Sequence, residues 1–166
     1  MWKDIERISR VLGDSEIALC CLQADVFVEA YLLGISPCYF SALFMQSPVA
    51  SLFDRSQDNY RQPAVLNHLP KNIIITTLTL RSDSLDQYTP PLSSDENEQR
   101  YCYWLGFIYR CEQLCMCVSS RFIIDSYPEK FMRSAYEHMS DAEISLPNDA
   151  YEICRRLELL RQEWTP

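Results

Sequence analysis

The sequence predicts a mainly α-helical fold, a compact multi-helix domain, and three observations predict it. Helix-start signals recur along the chain as Asp14-Ser15-Glu16, Ser36-Pro37, Ser47-Pro48, Ser93-Ser94-Asp95-Glu96 and Ser119-Ser120. Each supplies a side-chain acceptor for unpaired backbone N–H groups, and all but Ser119-Ser120 add a proline or acid suited to the first turn. Apolar residues then follow at spacings of three and four, the period of a buried helical face. Only one stretch, around 73–80, carries the chemistry of a short strand or hairpin.

The elements follow in order. Leu19, Leu22, Val26, Ala30 and Leu33 mark one face of a helix that starts near Asp14, and Gly34 is placed to end it. Ser36-Pro37 opens a helix to about Gln46, and Ser47-Pro48 a short one to about Asp54. Residues 55–72 are polar, with Pro63 and Pro70, and read as a loop. Ile73 to Leu80 is rich in β-branched residues and suits a pleated surface. A second loop contains Pro90-Pro91. Ser93 and Glu96 fit a capping box for the longest helix. There Trp104, Ile108, Cys111, Cys115 and Val118 form a stripe. Ser119-Ser120 caps a short helix over 121–126, Pro128 opens one to about Met139, and Pro147-Asn148 precedes a last helix over 149–163. One domain over 1–166 is expected, with a helical part at 1–54, a loop-rich part at 55–94 and a helical part at 95–166.

The 48% hydrophobic content supports a substantial core, and a chain of 166 residues can bury about two-thirds of its unfolded surface. Ala30–Phe53 carries no charge, but Pro37 and Pro48 divide it into two helices rather than a membrane span. The N-terminus, Met-Trp-Lys-Asp-Ile-Glu-Arg, has no apolar segment of the signal-peptide kind. The eight cysteines are therefore expected to be reduced thiols of a cytoplasmic protein.

A net charge of −8 disfavours direct nucleic-acid binding, which needs a basic face. Residues 81–166 carry 15 acids and 9 bases, against 8 and 6 in residues 1–80. Asp125, Glu129, Glu137, Asp141, Glu143, Asp149 and Glu152 face only Lys130 and Arg133 in that stretch. They are the candidate docking residues for a protein with a basic surface, while acids near helix starts also answer the helix dipole.

Catalytic signals are sparse. Gly13, Gly34 and Gly106 are too far apart for any phosphate-binding glycine loop. His68 and His138 are the only histidines, and His138 has Glu137 beside it and Asp141 three residues on. Cys111, Cys115 and Cys117 lack the second matched pair of a zinc site, since Cys20-Cys21 are adjacent and Cys38, Cys102 and Cys154 are isolated. Neither a metal nor a cofactor is expected. Glu29, in a charge-free neighbourhood, is the most unusual carboxylate by position.

Tyr103-Trp104-Leu105-Gly106-Phe107-Ile108-Tyr109-Arg110, followed by Ser119-Ser120 and an isoleucine, resembles a motif of uncharacterised small helical proteins of Gram-positive gut bacteria and their mobile elements. In that group a Tyr-Trp-x-Gly-[Phe/Tyr]-Ile-Tyr-Arg helix precedes a Ser-Ser-x-x-Ile helix start. The segment Tyr31–Pro37 through Phe44–Ala50 is similar to another part of the group, and together the two cover about half of the chain. Cys111 and Cys115 stand where further aromatics are usual. Such proteins often neighbour toxin–antitoxin or defence genes. The acidic C-terminal half, the missing catalytic motifs and this resemblance together lead to the expectation of a non-enzymatic inhibitor, an antitoxin or anti-defence protein of the anti-CRISPR kind, masking a basic or catalytic surface of a bacterial effector. A small enzyme or metal protein built on His138 or Cys111, Cys115 and Cys117 is the alternative, and a helical scaffold that dimerises is another. From the residues themselves, Trp104 and Ile108 are core anchors, and Gly106 implies a closely approaching helix that offsets its helix cost of about 1 kcal/mol. Arg110 is placed to bond a carboxylate from another helix.

Overall fold

The computed structural model describes residues 12–54, 64–139, 146 and 149–166. Among them are eight α-helices and no strand. These are α1 (Asp14–Leu32), α2 (Pro37–Met45), α3 (Pro48–Ser51), α4 (Pro70–Thr79), α5 (Glu96–Met116), α6 (Ser120–Ser126), α7 (Glu129–Met139) and α8 (Ala150–Glu163). Short 3₁₀ turns occupy Ala64–Asn67 and Leu85–Gln87.

Helix α5 is the axis. It packs most extensively on α1, and α6, α7 and α8 also lie against it. From Tyr101 to Cys115 only Tyr103 is not fully buried, so the helix is enclosed all round rather than along one stripe. Val118 falls outside it, because Cys117 takes a left-handed conformation (φ 51°) and ends the helix. The expected packing seam is present. A Cβ on Gly106 would lie 2.7 Å from the Gln23 carbonyl oxygen and 2.9 Å from Ala24 Cα, so α1 and α5 touch backbone to backbone. Trp104 and Ile108 are 2% and 0% exposed.

Several helix ends are set by the expected residues. Ser36, Ser47 and Ser119 each accept a hydrogen bond from a backbone N–H three residues on. Gly34 (φ 93°) ends α1 with Gly34 N–H bonded to Tyr31 O and Ile35 N–H to Ala30 O, the paired bonds of a Schellman motif. Two caps differ. Gly13, without a side-chain bond, stands at the start of α1, and Asp95 rather than Ser93 caps α5 through the N–H groups of Asn97 and Glu98.

The candidate strand at 73–80 is instead helix α4. Pro70 starts it, and Thr76, Thr77 and Thr79 donate their hydroxyls to the carbonyls four residues back. Ile73, Ile74, Thr77 and Leu78 are buried, a helical face packed on α1 and α3. Tertiary burial overrides β propensity here. All eight helices contribute to one hydrophobic cluster.

Candidate functional site

Arg110 is fully buried and joins four parts of the chain. Its Nε donates to Gln23 Oε1 of α1 (2.8 Å), Nη1 to Asp54 Oδ1 (2.7 Å) and Gln113 Oε1 (2.8 Å), and Nη2 to Ser120 Oγ of α6 (2.9 Å). Asp54, just beyond α3, also receives the Ser120 N–H (3.0 Å) and hydroxyl. Gln23 Nε2 returns to the Gly106 carbonyl (3.0 Å). Burial lowers the Arg110 pKa, and the Asp54 carboxylate opposes that. The expected carboxylate partner of Arg110 is Asp54, which lies just after α3 rather than within a helix. The planar fork satisfies four side chains at once, which is a positioning role.

A second polar cluster lies between α5 and α8. Cys111 and Cys115 are one turn apart on α5, and Cys154 reaches them from α8. All three are free, buried thiols, 1–3% exposed. Hydrogen bonds from Cys111 and Cys154 pull Cys115 down to about 4, while Cys111 is raised by its bond to Cys115, and Cys154 by its bonds to Cys111 and then Cys115. Glu112, 4% exposed, lies beside it and bonds Cys154. Burial, reinforced by the charge of Cys115, pushes the Glu112 carboxyl up to about 8. Its Oε1, and Oε2 of Glu158 on α8, have no hydrogen-bond partner. Among the described residues no group of three or more His, Cys, Asp or Glu is arranged to hold a metal ion.

The acidic candidates divide. Asp125 and Glu137 are exposed. Glu152 pairs with Arg155 (3.7 Å) and Arg156 (3.3 Å) on its own helix, and Asp149 sits at the start of α8. Glu129 is turned inward: its Oε1 accepts from the Tyr101 hydroxyl (2.7 Å) and pairs with Arg133 (3.4 Å). Arg133 also holds both oxygens of Glu98 (2.6 and 2.7 Å) and lies 3.7 Å above the Tyr101 ring. Asp141 and Glu143 lie outside the described residues.

His138 is exposed and lines a cavity of about 170 Å³ with Phe131, Ser134, Leu160, Glu163 and Trp164. No hydrogen bond joins Ser134, His138 and Glu163 among the described residues. Cys117 is exposed at the end of α5 and does not join Cys111 and Cys115. Tyr103 stacks on Phe107 at 6.3 Å, part of the α5 surface. Glu29 is half-buried, and the deeply buried acid is Glu112.

Comparison with protein-family models, with curated proteins and with solved structures returns no match. No helix among the described residues is long and apolar enough to cross a membrane. Sequence reasoning missed the Cys154–Glu112–Glu158 side of the thiol cluster. Glu112 sits between Cys111 and Gln113 in a helix buried all round, which is the signal that could have found it.

Proposed function

We propose that this chain is an acidic helical binding protein that docks on the basic surface of an effector. It acts as an inhibitor of the antitoxin or anti-defence kind. The observation that carries the reading is how the bases of the C-terminal half are used. Arg110 is fully buried against Asp54, and Arg133 is clasped by Glu98 and Glu129 over Tyr101. These two bases are neutralised within the fold by three acids, Asp54, Glu98 and Glu129, and the remaining groups still carry a net charge of about −7. Such a field speeds encounter with a positive partner and discriminates against negative ones. The buried Arg110 network and the close α1–α5 contact give a rigid platform for docking.

The test captures partners from a host lysate at low salt, then measures affinity for the purified partner across a salt series. The Asp125→Lys/Glu137→Lys double variant is compared with the parent. The expected partner carries a basic patch, binds more weakly as salt rises and loses further affinity with the variant. A partner indifferent to both salt and charge reversal overturns the proposal, as does the capture of none.

A further inference from the structure

The cluster between α5 and α8 is not accounted for by docking. Three thiols on two helices lie against one another, with the buried carboxyl of Glu112 bonded to one of them and carrying an unpartnered oxygen. A core built for packing alone places apolar atoms there, because an unpaired buried polar atom is destabilising. Cys115 lies in the last turn of α5, two residues before the left-handed Cys117 that ends it. At 3% exposure Cys115 meets a small reagent only when that last turn opens, and a helix end is where local opening costs least. Cys111 and Cys115 share one helix with nearly parallel Cα–Cβ bonds, so they are poorly placed to bridge each other. Cys154 comes from the facing helix and is the better bridging partner.

We propose that Cys115 is a site of oxidation by peroxides and that Cys154 resolves it to a disulfide tying α8 to α5. The Cys115 thiolate attacks one peroxide oxygen, the O–O bond breaks, and the leaving hydroxide takes a proton to become water. The product is a sulfenic acid on Cys115. The Cys154 sulfur then attacks the Cys115 sulfur, the S–O bond breaks, and the departing hydroxide takes the Cys154 proton. Two thiols lose two electrons in all, and one hydrogen peroxide is reduced to two waters.

The experiment treats the reduced full-length chain with one equivalent of hydrogen peroxide. Remaining thiols are then alkylated in denaturant, and the peptides are mapped by mass spectrometry. The expected product is a Cys115–Cys154 cross-linked peptide. It persists in the Cys38→Ser/Cys117→Ser variant, which lacks two exposed thiols, and is lost in Cys154→Ser, where Cys115 is trapped by a sulfenic-acid reagent. Oxidation confined to Cys38 and Cys117, with Cys115 and Cys154 alkylated, overturns the proposal. So does a Cys111–Cys154 bridge in place of the expected one. The wild-type map decides the question by itself if Cys154→Ser fails to fold.

Discussion

Replacing Glu112 with glutamine should change how stability depends on pH, in a direction fixed by the burial of this carboxyl. Its pKa rises from 4.5 to about 8 on folding, chiefly through desolvation. A carboxyl whose folded pKa is raised favours the native state when protonated. That contribution is fully present below pH 4.5 and is lost as pH rises towards about 8. Each tenfold change in proton affinity is worth about 1.4 kcal/mol, so the ionised form is disfavoured by roughly 4–5 kcal/mol in the native state. Cys115 works in the opposite sense. Its folded pKa is depressed from 9.0 to about 4, so its contribution is present above pH 9 and is lost as pH falls towards 4. The raw profile mixes the two, whereas the difference between wild type and Glu112→Gln reads the carboxyl together with its smaller coupling to Cys115. Urea unfolding of both proteins from pH 5 to 9, with reductant present, supplies it. The two should be within about 1 kcal/mol at pH 5, with the variant more stable by several kcal/mol at pH 9, because the amide keeps the shape and cannot ionise. A difference that does not vary with pH, or that grows in favour of wild type as pH rises, refutes the reasoning.

Arg110→Ala leaves Asp54 without its charge partner and Gln23 and Gln113 without a donor, and should lower stability by about 3–5 kcal/mol in urea unfolding. Arg110→Lys should recover little of that, because an ammonium cannot reproduce the planar fork. Gly106→Ala gains about 1 kcal/mol of helix propensity but drives a methyl to 2.7 Å from the Gln23 carbonyl, so a net loss of about 1–3 kcal/mol is expected in the same assay. Thr76→Ala and Thr79→Ala, both exposed on α4, should each raise the urea midpoint by the equivalent of about 0.5 kcal/mol if the segment is helical, and lower it if it is extended.

The fold was legible where a local signal and the tertiary environment agree. Ser36-Pro37, Ser47-Pro48 and Ser119 act within one turn of themselves, so their caps need no knowledge of the rest of the chain. Gly34 is legible for the same reason. Ile73–Leu80 was not, because its periodicity is short and its β-branched residues suit either state. What decides it is the burial of Ile73, Ile74, Thr77 and Leu78 against α1 and α3, information held elsewhere in the sequence.

The same division explains the polar clusters. Arg110 was singled out because it closes a patterned segment, yet its partners lie 87, 56, 3 and 10 residues away and no spacing announces them together. Glu112 is harder still. On a helix with one buried stripe it would be a solvated residue beside Cys111, and only burial on every side turns it into a desolvated acid. That enclosure also sorts the cysteines. Cys117 belongs with Cys111 and Cys115 by spacing, but the left-handed turn at Cys117 carries it to the surface, while Cys154, forty-three residues after Cys111 in the sequence, completes the set from α8. The proposed oxidation of a thiol cluster assembled across two helices would therefore act on how α8 is held against α5.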